Sequence, residues 1–205
     1  PTSLLSEIFD PRQHEFSQVI KEDQEFFSGR ETQLRFMKSW LLEKLGQHQP
    51  ACRFIFGEAG CGKSAFMAKL AGEVRGDLGL TASFFFFGKS ESGRYLDVAT
   101  SLAKQLAEYS GYEWELVSRE PDPLEQFKQV LTCAARQKEE GGDVPSFIVD
   151  GLDEAESKDL KQLLNAMKVA EQCIWILSGQ PHLLDSIQAE VHQVELFSLP
   201  KMTNP

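Results

Sequence analysis

The chain has 205 residues, 41% of them hydrophobic and 25% charged, and carries a net charge of −10 at pH 7. That length suffices for one domain with a sizeable core, and the balance is that of an ordinary globular protein rather than a disordered one. The acidic excess argues against sequence-blind nucleic-acid binding, and no apolar run exceeds five residues (173–177), far short of the roughly 18 that a membrane span needs.

Residues 1–10 contain acids and no extended apolar core, so no secretory leader is expected and a cytoplasmic location is the default. A chain that opens at Pro1 without an initiator Met is expected to be a piece of something longer. Cys52, Cys61, Cys133 and Cys173 are scattered without zinc or disulfide spacing, which predicts reduced and mostly buried thiols. Cys61 stands apart because it sits near a predicted helix N-terminus, where a thiolate is favoured; a small tolerated residue is the plainer reading.

Residues 1–27 read as a lead-in or the end of a preceding domain, with a turn at Asp10-Pro11 and Phe16, Val19 and Ile20 on one helical face. Next, Leu34, Met37, Trp40, Leu41 and Leu45 recur at helical spacing before Gly46. Ser28-Gly29-Arg30-Glu31 at the head of that helix reads from the residues alone as a capping turn, with a contact to adenine or ribose as the alternative.

A short apolar strand, Phe54 to Phe56, then runs into Gly57-Glu58-Ala59-Gly60-Cys61-Gly62-Lys63-Ser64, and Ala65-Phe66-Met67-Ala68 continues as a helix former. Strand, Gly-x-x-x-x-Gly-Lys-Ser and helix together predict a phosphate-binding loop. Glycines let successive N–H groups converge on phosphate oxygens, and the helix N-terminus that follows favours the same anion. Lys63 adds a full positive charge, and the Ser64 hydroxyl is placed to bind Mg²⁺.

Thr81 to Gly88, with four consecutive Phe, reads as a strand buried on both faces. Lys89 and Arg94 follow in a polar loop; a solvated loop is the plainer reading, a reach to the terminal phosphate the other. Helices are predicted over 96–107 and from Asp122-Pro123 through Ala134, the second opened by an N-cap and a proline at its first position.

The run Phe147-Ile148-Val149-Asp150-Gly151-Leu152-Asp153-Glu154 carries the second chemical motif. In a parallel sheet ligands lie beyond the carboxyl ends of the strands, so Asp150 is expected to hold Mg²⁺ through water on the side of the phosphate loop. Glu154 is the candidate to orient or deprotonate an attacking water, with Asp153 as the second candidate. A helix over 159–170, a buried strand over 173–177, a helix from His182 towards Glu190 and a last strand over 191–199 complete the pattern. Ser178 or Gln180 at the fourth strand's end is read either as part of a tight turn or as a sensor of the terminal phosphate. Alternating strands and helices predict a three-layer α/β fold of the P-loop NTPase type, a parallel sheet of about five strands with helices on both faces.

With both motifs in hand, the chain resembles the NACHT branch of the STAND-type P-loop ATPases, the group that includes the cores of NOD-like receptors and telomerase-associated proteins. The resemblance rests on Gly57 to Ser64, on Asp150-Gly151-Leu152-Asp153-Glu154, on Gly29-Arg30 before the first helix and on the strand before Pro181, and it covers about residues 26 to 199. It implies a core at 28–199 with a tail at 200–205, binding of ATP or ADP with Mg²⁺, weak ATPase activity, and a switch that controls assembly of a larger signalling protein. It also implies that Gly29 and Arg30 lie near the adenine. The nucleotide set is then Gly29, Arg30 and the run from Gly57 through Ala65; Lys63, Asp153 and Glu154 form the catalytic set, and Ser64 with Asp150 the metal pair.

Two departures qualify the resemblance. Ser178-Gly179-Gln180-Pro181 stands where the family often has Thr/Ser-Ser-Arg-Pro, so the sensor arginine is replaced by Gln180 and hydrolysis is expected to be slow. The helical lid and winged-helix segments of the family do not follow within this chain, from which freely exchanging nucleotide is expected. The alternative reading is a non-hydrolysing interaction scaffold. No acceptor pocket for a small-molecule kinase is legible, and Leu177-Ser178-Gly179-Gln180 lies on the wrong side of the Asp150 strand for a transporter signature. The absence of an Asn-Lys-x-Asp run tilts the base preference to adenine. Nucleotide and protein partners or self-association are expected, nucleic acid and membrane spans are not.

Overall fold

Apolar runs become the five strands β1 (Ala51–Phe56), β2 (Thr81–Phe85), β3 (Ser146–Asp150), β4 (Ile174–Gly179) and β5 (Val194–Ser198). Among the described residues four helices can be bounded, α1 (Glu31–Gly46), α2 (Lys63–Asp77), α3 (Ser157–Val169) and α4 (Leu184–Glu190), with 3₁₀ turns at Leu152–Glu154 and Pro181–Leu183. The structure is a computed structural model that describes residues 29–77, 81–85, 144–169 and 172–201, with isolated positions at 101, 102, 104, 105, 122, 125 and 129. Residues 1–27, the strand residues expected at 86–88 and most of the two helices expected between 96 and 134 lie outside the described residues.

All five strands are parallel, in the order β2-β3-β4-β1-β5. Strands β3 and β4 are buried at every position, which is why Phe147-Ile148-Val149 and Ile174-Trp175-Ile176-Leu177 are continuous apolar runs rather than alternating ones. Odd and even residues feed different layers. Phe54, Phe147, Val149, Trp175 and Leu177 pack with Leu160, Leu163, Leu164 and Met167 of α3 and Ile187 of α4. Ile55, Ile148, Ile174 and Ile176 pack with Met37 and Leu41 of α1 and Phe66, Met67 and Leu70 of α2. Helices therefore cover both faces, and the expected three-layer α/β architecture is the one observed.

Helix α1 starts where Glu31 can serve its N-terminus: the Gly29 N–H donates to Glu31 Oε1 at 3.1 Å. The N–H groups of Glu31 and Gly29 hold that carboxyl below its usual range, the expected response of an anion at a helix start. The apolar spacing read in the sequence turns Leu34, Met37, Trp40 and Leu41 inward.

One charged residue breaks the apolar pattern of β1. Arg53 is buried on the α1 side, with its guanidinium 4.1 Å from the Trp40 ring centroid and 5.3 Å from that of Phe36, and it pairs with Glu195 of β5. The pairing joins the edge strand to the sheet's first helix.

Several boundaries differ from expectation: β1 begins at Ala51 rather than Phe54, and α3 at Ser157 rather than Asp159. β4 runs two residues past Leu177, because Ser178 and Gly179 continue the ladder opposite Ile55 and Phe56. β5 is shorter than 191–199, since Val191 accepts helix-terminal geometry through its N–H to Ile187 O at 2.8 Å. No helix among the described residues is long and apolar enough to cross a membrane.

Candidate functional site

The two motifs read in the sequence meet at the carboxyl ends of β1, β4 and β3, with β4 lying between the other two. The phosphate loop leaves β1 at Phe56 and enters α2 at Lys63. Its shape depends on glycine at two kinds of position. Gly60 and Gly62 have φ of 72° and 84°, in the left-handed region. Gly57 is required for space: a Cβ there would lie 2.5 Å from Leu199 O and 2.7 Å from Cys61 Sγ. The Cys61 N–H donates to Glu58 O at 3.2 Å, closing the loop's internal turn, and Phe66 N–H to Gly62 O at 3.0 Å begins the helix.

Lys63 Nζ donates to Gly57 O at 2.8 Å and to Glu58 O at 3.2 Å, so its ammonium sits over the loop it follows. Cys61 is buried, Ser64 and Glu58 are exposed at the loop's surface, and Ala59 lies at the exposed turn.

Across β4, Asp150 ends β3 almost fully buried, at 1% exposure. Its Oδ1 accepts from the Ser178 hydroxyl, and Ser178 Oγ in turn accepts the Gly151 N–H at 3.2 Å. Burial pushes the Asp150 carboxyl up; the Ser178 and nearby Ser64 hydroxyls and the Lys63 charge pull it down, and Asp153 adds to the rise. Its Oδ2 is buried with no hydrogen-bond partner. An orphaned carboxylate oxygen close to a hydroxyl and an ammonium fits a divalent cation.

Gly151, with φ of 78°, turns the chain into the 3₁₀ turn that carries the remaining acids. Asp153 Oδ2 accepts from Gln180 Nε2 at 2.8 Å, while the Glu154 side chain is exposed. Gln180, the residue standing where an arginine was expected, is thus directed to Asp153. A cavity of about 580 Å³ borders Asp153, lined also by Leu160, Leu164, Lys161 and His182. Another of about 460 Å³ lies at the opposite, amino-terminal ends of β1 and β4 against Cys52 and Trp175, away from both motifs. Burial pushes the Cys52 thiol up to about 12, consistent with the reading of Cys52, Cys61 and Cys173 as reduced buried thiols outside any disulfide; Cys133 is outside the described residues.

Two contacts escaped the sequence reading. The hydroxyl of Ser178 is bonded to the Asp150 carboxyl, a partnership visible only once β3 and β4 are known to be neighbours. Arg30, 4% exposed, donates from Nη2 to Cys61 O in the loop and, at 2.7 Å, to Pro200 O beyond β5. Its guanidinium is on backbone oxygens of the loop and of the strand exit, which no local pattern announces.

A parallel sheet of this order, with a glycine loop and lysine after β1 and an acid ending β3, defines a P-loop NTPase-like domain. The family model described as Nephrocystin 3, N-terminal matches residues 31–178, more than half of the chain, and the chain belongs to that family. No curated protein matches it in sequence.

Among solved structures, the fold is shared with the Aeropyrum pernix ORC1 protein in complex with DNA, at 13% identity and a TM-score of 0.60, covering 88% of this chain and 47% of that one. It is shared also with a chain of Drosophila ORC bound to DNA, at 14% identity and a TM-score of 0.52, covering 91% of this chain and 47% of that one. A third is a chain of Drosophila ORC bound to AT-rich DNA and Cdc6, at 15% identity and a TM-score of 0.51, covering 93% and 61%. This chain spans about half the length of the first two.

These likenesses correct one expectation. The net charge of −10 was read as excluding nucleic-acid partners. Proteins of the same fold are found in complex with DNA, so that exclusion is withdrawn. The physical reason is that net charge is a sum over the whole chain, whereas nucleic acid is met by one local face.

Proposed function

We propose that this domain binds Mg²⁺-ATP or Mg²⁺-ADP at the phosphate loop and serves as a slowly hydrolysing switch of the STAND type within a larger protein. One observation carries the reading: Lys63 with its loop and the orphaned Asp150 Oδ2 lie at carboxyl ends of one sheet, with Ser64 near enough to Asp150 to affect its ionisation.

In this reading the loop's N–H groups hold the phosphates, and Lys63 exchanges the Gly57 and Glu58 carbonyls for phosphate oxygens. Ser64, and Asp150 through water, would hold Mg²⁺, which when bound would supply charge neutralisation at the terminal phosphates. Glu154, exposed at the turn, orients or deprotonates a water; Asp153, tied to Gln180, is the weaker candidate. Replacing a cationic sensor by a neutral amide removes transition-state stabilisation worth on the order of a thousandfold or more in phosphoryl transfer. Turnover of tens per second would therefore be incompatible with this reading. The switch reading is supported by the Asp150-Gly151-Leu152-Asp153-Glu154 run. Partners would be reached through the larger protein, in the cytoplasm.

Thermal unfolding of the chain and of Lys63→Ala, with and without Mg²⁺-ATP and Mg²⁺-ADP, tests the proposal. A ligand at about 100 times its Kd adds roughly 2.7 kcal/mol, on the order of 5 to 11 °C for a domain of this size. A shift of that size in the wild type, lost in Lys63→Ala, is the expected result. No shift with either nucleotide would leave the second reading, an interaction scaffold, which the neutral Gln180 favours. Duplex DNA in the same titration reads nucleic-acid binding directly.

A further inference from the structure

Buried guanidinium groups ordinarily meet a carboxylate, because desolvating the charge is costly. Arg30 is buried with two carbonyl oxygens as its acceptors among the described residues, one in the phosphate loop and one 170 positions away at the exit of β5. Both acceptors lie where the loop is gripped from a second side. The Leu199 N–H donates to Phe56 O at 2.8 Å, and Leu199 O lies so close to Gly57 that a Cβ there would be at 2.5 Å. The base of the loop is therefore held between the start of α1, the end of β1 and the residues that follow β5.

We infer that Arg30 is a positioning residue of the phosphate loop that also couples it to the backbone at Leu199-Pro200. Resting on the reading of the loop as a phosphate site, the mechanism runs through one peptide unit. Arg30 holds the Cys61 carbonyl, and the other end of that peptide is the Gly62 N–H. A charged donor on the carbonyl fixes the peptide's orientation and polarises it, strengthening Gly62 as a donor to phosphate. The same guanidinium holds Pro200 O, so displacing the β5 exit removes one of its anchors and loosens the peptide. Phosphate bound at the loop must, by reciprocity, tighten the β5 exit. The segment after β5 is thus the place where a neighbouring domain or partner can read or change the nucleotide state.

The test is two-dimensional NMR of the intact chain, with Arg30→Gln, Arg30→Lys and Gly57→Ala beside the wild type. Without nucleotide, the Gly62 amide resonance is expected to shift in Arg30→Gln, and less in Arg30→Lys, which keeps the charge. With Mg²⁺-ADP added, wild-type affinity is expected to fall about tenfold or more in Arg30→Gln. Hydrogen exchange at Leu199 and Lys201 should slow on nucleotide binding in the wild type and not in Arg30→Gln. Should Arg30→Gln fail to fold, Arg30→Lys carries the test with a smaller loss in the same direction, since a lysine cannot present the fixed fork; Gly57→Ala, whose new Cβ meets both Leu199 O and Cys61 Sγ, reports the same coupling disturbed from the loop side with Arg30 intact. A Gly62 amide indifferent to Arg30→Gln, or equal Leu199 protection in both proteins, overturns the inference. A wild type that binds no nucleotide while its Gly62 amide still responds to Arg30→Gln sinks the nucleotide reading and leaves Arg30 as the loop's positioning residue.

Discussion

Asp150 illustrates how one side chain can be costly to the fold and useful to the site. Burial raises its carboxyl's affinity for a proton, and the hydroxyls of Ser178 and Ser64 and the charge of Lys63 oppose that rise without cancelling it. Ser178 is the member of this group whose role is separable from nucleotide chemistry, because it bonds Asp150 and receives the Gly151 N–H at once. Ser178→Ala would leave a buried acceptor and a buried donor without their partner. The expected cost is about 1 to 3 kcal/mol of stability, measured by urea unfolding without nucleotide. An unchanged urea midpoint would mean that the hydroxyl is dispensable to both groups.

At the scale of elements, the edge strand β5 is held by charge as well as by its ladder. Glu195 meets Arg53 of β1, with Lys44 of α1 at 3.6 Å. Burial raises the Glu195 carboxyl, but the hydrogen bond from Arg53 and the charges of Arg53 and Lys44 outweigh it, and the net shift is downward. A depressed folded-state pKa contributes stability that is present above the unfolded value, about 4.3 for a glutamate, and is lost as pH falls through the folded value. Glu195→Gln is therefore expected to be less stable than the wild type at pH 7, by under about 1 kcal/mol because the carboxylate is partly exposed. The gap should close as the pH drops below 4. Urea unfolding of both proteins across that range measures it, and a gap independent of pH would assign the effect to packing.

These elements also show what was legible in the residues. The phosphate loop was readable because its eight positions are contiguous and its glycines answer to backbone geometry. β3 was readable because its centre, Phe147 to Val149, is buried on both faces and so forms an unbroken apolar run. The Arg30 contacts were not, since they join residues brought together only by the finished sheet. Arg53 was unreadable for a different reason: a lone cation in an apolar run does not reveal that two rings and a carboxylate await it. The end of β4 was placed too early because Ser178 and Gly179 have weak strand preference, and the ladder with β1 overrode it.

For the molecule as a whole, the sheet order sets where rigidity lies. β1, β3 and β4 each have a strand on both sides, while β5 forms one edge with partly exposed Val194, Glu195 and Phe197. Amide hydrogen exchange should accordingly be slowest in β1, β3 and β4 and faster in β5. Exchange in β5 as slow as in β4 would show that the edge unfolds only with the core.

The position of β4 between β1 and β3 has a consequence for recognition. The cradle after β1 and the acid after β3 are two strand spacings apart, roughly 9 to 10 Å between backbones. That interval is a ruler made of main-chain hydrogen bonds. Substituting side chains can remove a donor or a ligand from either end, but it cannot change the interval. Only side chains can close it, Ser64 from the loop's side and Ser178 from the middle strand, which is how two hydroxyls from different elements come to act on the single carboxyl of Asp150.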